Sequence, residues 1–130
     1  MKILIVDDSF VIRKIIKATI DLLQMETIEA QDGEEALNIL SEKFNEINLV
    51  LLDWNMPEMS GYEVLVKIKN SAEYRDIPVM MVTTEGQKSN IVAAVKAGAA
   101  NYLTKPFSSE DLEIKILECI GSVMESSVRD

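Results

Sequence analysis

Short apolar runs alternate with longer segments of helical period along all 130 residues of this chain. The runs are Ile3 to Val6, Thr27 to Ala30, Leu49 to Leu52, Val79 to Thr83 and Asn101 to Thr104. Three of them, ILIV, LVLL and VMMV, are apolar on successive residues, as suits central parallel strands covered on both faces. Between the runs, Val11, Ile12, Ile15, Ile16, Thr19, Ile20 and Leu23 form a helical stripe behind Ser9, a hydroxyl placed to act as N-cap. Ala36, Leu37 and Leu40 mark a second helix, and Val64, Leu65 and Ile68 a third. Ile91, Val92, Ala94 and Val95 mark a fourth, ended by Gly98. A fifth begins after Ser108 and Ser109 and turns Leu112, Ile116, Leu117, Ile120, Val123 and Met124 inward.

Five strand and helix pairs in alternation predict a doubly wound α/β domain with a five-stranded parallel sheet and five helices, because parallel strands need crossover helices. The expectation is one domain over residues 1–130, with a frayed tail at 126–130. Ligands of such sheets bind beyond the carboxyl ends of the strands. The polar residues can be tested against that rule.

Asp7 and Asp8 directly follow ILIV, Asp53 follows LVLL, Thr83 closes VMMV, and Lys105 comes just after the fifth run. All five therefore fall at strand C-termini, on one edge of the predicted sheet. A single aspartate there is most simply a strand-end cap or turn former; five polar groups in this order are better explained by a common site. Three carboxylates gathered together repel one another and call for a cation or for raised pKa values. An oxygen-only donor set favours a hard divalent ion, Mg²⁺ above Ca²⁺. A carboxylate beside Mg²⁺, a lysine and a hydroxyl is equipped to attack phosphorus, with Asp53 as nucleophile and Thr83 and Lys105 assisting.

Composition narrows the chemistry. The chain has no histidine, which removes imidazole bases and histidine metal sites. Its 22 acidic residues against 13 basic ones give a net charge of −9, which argues against nucleic acid as a partner. Cys119, the single cysteine, lies in an apolar helical pattern and reads as inert core rather than a reactive thiol. Met80 and Met81 read as core packing. The apolar run in MKILIVDDS is too short for a signal peptide or a membrane span, so the expectation is a cytoplasmic protein without membrane insertion.

VDDS, LLDWNMPEMSG, MMVTTEG and YLTKPF, in that order and at this spacing, resemble the receiver domain of two-component response regulators, most closely its single-domain chemotaxis members. The resemblance runs from Lys2 to about Met124 and implies a flavodoxin-like fold with strand order 2-1-3-4-5. It implies that Asp53 is the phosphoacceptor, that Asp7, Asp8 and Asp53 with the backbone carbonyl of Asn55 hold Mg²⁺, and that Thr83 and Lys105 contact the phosphoryl group. Pro106 matches the residue after a cis peptide bond. Tyr102 matches an aromatic that turns inward with Thr83 on activation. Asn55 and Glu85 lie where the family tunes self-dephosphorylation, and Thr84 stands where it often has Ala or Gly. The implied partners are a histidine kinase as phosphohistidine donor, an acidic peptide of the flagellar motor switch and a phosphatase, with the chain itself a monomer that is a switch rather than an enzyme.

From Gly86 to Lys105 the sequence holds Lys88, Lys96 and Lys105 and no acidic residue. The expected output surface is therefore the face of the fourth helix, fifth strand and fifth helix, with Lys88, Ile91, Val95, Tyr102 and Lys115 as contacts; the plainer reading is a solvated lysine face. Trp54, the only tryptophan, should report events at Asp53 by fluorescence. Three other functions are weaker fits. A haloacid dehalogenase phosphatase resembles D-x-D near the N-terminus with its acidic pair last, whereas here the pair comes first and Asn55 takes the second position. A flavodoxin needs a phosphate cradle where this chain has two aspartates. A receiver that works without phosphorylation, or one cut from a larger regulator, fits the sequence less closely than a complete switch.

Overall fold

A computed structural model describes residues 1–84 and 88–129, apart from the side chains of Lys88 and residues 122–129. Glu85, Gly86, the Lys88 side chain and the inward positions expected of Val123 and Met124 lie outside the described residues. Strands β1 (Lys2–Val6), β2 (Glu26–Ala30), β3 (Ile47–Leu52), β4 (Val79–Thr83) and β5 (Asn101–Thr104) alternate with helices α1 (Phe10–Leu22), α2 (Gly33–Lys43), α3 (Gly61–Lys69), α4 (Lys88–Lys96) and α5 (Ser109–Arg129). All strand pairs are parallel and their order is β2-β1-β3-β4-β5. This is the predicted doubly wound sheet, and ILIV, LVLL and VMMV form its three inner strands.

Why those runs are apolar on both sides follows from the pleat. Successive side chains leave a strand on opposite faces. Leu4, Val6, Val50, Leu52, Val79 and Met81 join one cluster with Ala36 and Leu40 of α2, Val64, Leu65 and Ile68 of α3, and Ala94 of α4. Ile3, Ile5, Leu49, Leu51, Met80 and Val82 join a second with Ile16 and Ile20 of α1 and Leu112, Ile116, Cys119 and Ile120 of α5. Two helices cover one face and three the other, so every inner strand is dry on both sides. Fully burying each of these aliphatic side chains is worth about 1.5–3 kcal/mol. The inner strands are therefore held firmly in register.

Helix starts follow local sequence. Ser9 Oγ accepts the Ile12 amide at 3.2 Å, Asp32 Oδ1 the Glu35 amide at 2.8 Å, and Ser60 Oγ the Glu63 amide at 3.2 Å. At α5, Ser108 Oγ accepts the Asp111 amide at 3.0 Å, while the Ser108 amide donates back to Asp111 Oδ2 at 3.4 Å.

Several expected inward positions differ. On α1, Val11 and Ile15 are 64% and 49% exposed, because seven apolar positions on one helix span a wider arc than a single sheet face can cover. Leu117 of α5 is exposed for the same reason. Among the described side chains of α4 only Ala94 is fully buried, while Val92 and Val95 face outward. Ile91 and Ala93 are half-buried beside Ala94, in keeping with the thin apolar stripe of this helix. Helix α5 runs to Arg129, and nothing from Ser122 on is a glycine or proline. Cys119 and both expected core methionines are buried. Burial pushes the Cys119 thiol pKa up, as an inert core cysteine requires. No helix of the described residues is long and apolar enough to cross a membrane.

Gly61 ties the fold to the polar edge. Its amide donates to the Trp54 carbonyl at 2.8 Å. A β-carbon there would overlap the carbonyl oxygen of Asp53 and lie 2.8 Å from its carbonyl carbon and 2.9 Å from Trp54 Cα. Gly61→Ala is expected to destabilise the protein by about 2 kcal/mol or more, because backbone, not a flexible side chain, must yield. Urea denaturation should show the lower midpoint.

Candidate phosphoryl and metal site

Because the strands are parallel, the residues after β1, β3, β4 and β5 meet at one edge. Asp7 and Asp53 follow adjacent inner strands, and the Asp53 amide donates to the Val6 carbonyl at 2.9 Å while the Asp7 amide donates to the Ala30 carbonyl at 3.1 Å. Both carboxylates are almost closed off from solvent, at 2% and 5% exposure, whereas Asp8 is exposed at the mouth. One carboxylate oxygen from each of Asp7, Asp8 and Asp53 lies within 4.8 Å of the others. The expected acidic triad is therefore assembled, and its all-oxygen chemistry and open mouth fit a hard divalent cation.

Lys105 closes the pocket from the β5 side. Its Nζ donates to Asp7 Oδ2 at 2.7 Å and stands 3.5 Å from Asp53 Oδ1, with its side chain only 11% exposed. The Lys105–Pro106 peptide is cis, as expected. The Lys105 amide donates to the Thr83 carbonyl at 2.7 Å, which fixes the lysine to the end of β4. Thr83 itself is fully buried at that strand end, and Thr84 is exposed.

Around this centre the other sequence-derived positions sort by depth. The Asn55 amide bonds the Asp53 carboxylate while its side chain is exposed. Trp54 is half-buried and stacks on Tyr62, with centroids 5.4 Å apart and planes 12° from parallel. Tyr102 is half-buried and packs against the cluster that α4 shares. On the expected output face, Ile91 and Lys115 are half-buried and Val95 is 61% exposed. Lys115 is not simply solvated, for its Nζ lies 3.5 Å from Asn101 Oδ1.

Sequence reading missed the groups that hold Asp7. The Ser9 amide donates to Asp7 Oδ1 at 2.9 Å, and Arg13 Nη1 donates to the Asp7 carbonyl oxygen at 2.7 Å. A basic residue in the first turn of an amphipathic helix carries no signal that it turns back on the strand end. The Trp54–Tyr62 stack was equally invisible, because it joins a loop to a helix.

Burial is the main reason the Asp53 pKa rises from the ordinary 3.8 to about 6; Asp7 adds repulsion and Lys105 partly opposes both. The folded value lies above the unfolded one, so protonated Asp53 stabilises the fold and that contribution is lost as pH rises between these values. Without divalent cations, Asp53→Asn should therefore be more stable than wild type at pH 7.5, by about 1–2 kcal/mol once solvent screening at the pocket mouth is allowed for. The difference should close below pH 4, as read by urea titrations at both pH values.

Comparison with known proteins matches this architecture. A family model described as "Response regulator receiver domain" matches residues 3–117. The chain is 42% identical over 123 residues to a "Chemotaxis protein CheY homolog" of Campylobacter jejuni, covering 94% of each protein. It is 40% identical to "Chemotaxis protein CheY1" of Helicobacter pylori, covering 94% of this chain and 98% of that protein. Among solved structures, the chemotaxis protein CheY4 of Vibrio cholerae superposes with a TM-score of 0.82 at 32% identity, covering 92% of this chain and 97% of that one. A CheY-like receiver domain protein of Methanospirillum hungatei gives 0.87 at 30%, covering 96% and 97%. With its sheet order, its acidic edge and these similarities in agreement, the chain belongs to the response regulator receiver domain family.

Proposed function

We propose that this protein is a phosphoryl-accepting signalling switch of chemotaxis, in which Asp53 takes a phosphoryl group from a phosphohistidine of a histidine kinase. The observation that carries the reading is the meeting of Asp7, Asp8 and Asp53 within 4.8 Å, with Lys105 on the far side. Receiver domains of this kind are signalling proteins rather than classical enzymes, and they bind Mg²⁺ at an acidic pocket. Here Asp7, Asp8 and Asp53, with the Asn55 carbonyl, would hold the ion; bound there, it supplies positive charge against the phosphoryl oxygens.

The chain's own residues do the rest. Asp53 is a buried carboxylate directly after the rigid strand β3, so its attacking oxygen is already positioned. Attack forms the Asp53 O–P bond and breaks the P–N bond of the donor, whose imidazole keeps the bonding pair and takes a proton from water. Lys105, drawn to Asp7 at 2.7 Å and 3.5 Å from Asp53, is placed to pair with the new phosphoryl oxygens, and the Thr83 hydroxyl to bond them. Asn55, and Glu85 outside the described residues, would tune the return to the free aspartate by water. The expected decay is fast, as the resemblance at Asn55 and Glu85 to the chemotaxis members of the family implies.

Output follows from how lightly α4 is held. Among its described side chains it buries only Ala94 completely, leaves Val95 exposed, and lies beside the half-buried Tyr102. Drawing Thr83 toward the phosphoryl group would make room for Tyr102 to move inward, and the face of Lys88, Ile91, Val95, Tyr102 and Lys115 would then suit an acidic motor-switch peptide. The names of the Campylobacter jejuni and Helicobacter pylori relatives support chemotaxis as the setting.

Incubated with Mg²⁺ and a small acyl-phosphate donor, the wild type should gain one phosphoryl group by intact mass and Asp53→Asn none; equal labelling of the two would end the assignment of Asp53. An acidic motor-switch peptide should bind at least several-fold more tightly when beryllofluoride occupies the site. Equal affinity in a fluorescence titration would remove the proposed output face.

A further inference from the structure

Arg13 sits on α1, yet both ends of its guanidinium are engaged away from the helix. Nη1 donates to the carbonyl oxygen of Asp7 at 2.7 Å, and Nε donates to Glu29 Oε1 at 3.0 Å. The side chain is only 12% exposed. Glu29 stands on β2, where the neighbouring register pairs it with Ile5 of β1, and its other oxygen accepts Lys14 Nζ at 2.7 Å. Those two cations, Lys14 foremost, keep the Glu29 carboxyl ionised and its pKa below the usual range against the opposing effect of burial.

The carbonyl that Arg13 grips belongs to the peptide joining Asp7 to Asp8. That one peptide plane determines how the two carboxylates diverge. Asp7 is fixed beyond it on both carboxylate oxygens, by the Ser9 amide at 2.9 Å and Lys105 at 2.7 Å. Asp8 is exposed and has no comparable brace among the described residues, so its direction depends on the peptide before it. A planar guanidinium can hold a carbonyl and a carboxylate at once; an ammonium on a flexible stem holds them less rigidly.

Resting on the magnesium-dependent reading above, we infer that Arg13, locked by Glu29, is a positioning residue that orients the Asp7–Asp8 peptide so that both carboxylates face one ion. The alternative is a purely structural clasp between α1 and β2. Charge separates the two. Removing a cation beside an acidic pocket should by Coulomb's law strengthen its hold on a divalent ion, whereas removing an orienting group should weaken it.

The test is a Mg²⁺ titration of the full chain without phosphodonor, followed by Trp54 fluorescence at a temperature where melting curves show each variant folded. Arg13→Ala should bind Mg²⁺ about tenfold more weakly than wild type, the lower end of what loss of an outer support costs a metal site. Arg13→Lys, which keeps the charge, should lose part of that affinity. Lys14→Ala removes the same charge from the same glutamate without touching the Asp7 carbonyl, and should bind as tightly as wild type or slightly more so. Unchanged or stronger binding by Arg13→Ala, or equal weakening by Lys14→Ala, would overturn the inference. If Arg13→Ala does not fold, Arg13→Lys decides alone, and wild-type affinity in it overturns the inference too. A wild type with no magnesium response, by fluorescence and by calorimetry, would instead overturn the reading on which the inference rests.

Discussion

Two carboxylates held at the ends of adjacent, fully buried strands are the constraint to which the polar half of this molecule answers. Asp7 and Asp53 cannot retreat into water, because β1 and β3 are pinned by aliphatic side chains on both faces of the sheet. The loss of hydration, and after it the repulsion from Asp7, raise the Asp53 pKa to about 6. A pocket in that condition has a standing demand for positive charge. Lys105 meets part of it from β5, and the remainder makes the pocket receptive to a cation and to the phosphoryl chemistry of its family.

Rigidity and looseness are distributed accordingly. The acidic edge is anchored by Gly61 against the Asp53 carbonyl, by the Lys105 amide on Thr83, and by Arg13 on the Asp7 carbonyl. Beyond Thr83 the helix α4 has Ala94 as its one fully buried side chain among those described, with valines turned outward on both sides of it. A local change at a stiff centre is thus transmitted to an element that costs little to displace, which is the arrangement a switch requires.

The two-sided core and the edge on which the site forms were legible in the chain, because ILIV, LVLL and VMMV are apolar at every position and each ends at a polar residue of chemical use; the strand order came only through the resemblance to the receiver family. The helix faces were legible less well. Val11, Ile15, Val92, Val95 and Leu117 share the period of their buried neighbours and differ from them only in where the sheet ends, a boundary no single helix encodes.

By itself the sequence determined the kinds of groups available and the strand ends that carry them: three aspartates, a threonine and a lysine, no histidine, on five runs that alternate with helices. That much is local, set by side-chain periodicity and by which residue follows each run. Tertiary structure alone decided which groups touch. It placed Lys105 against Asp7 at 2.7 Å rather than centred on Asp53, brought Arg13 back from α1 onto the Asp7 carbonyl, and laid Tyr62 over Trp54. Those contacts join elements far apart in the chain through distances of a few ångströms, and only the packed sheet fixes distances that small.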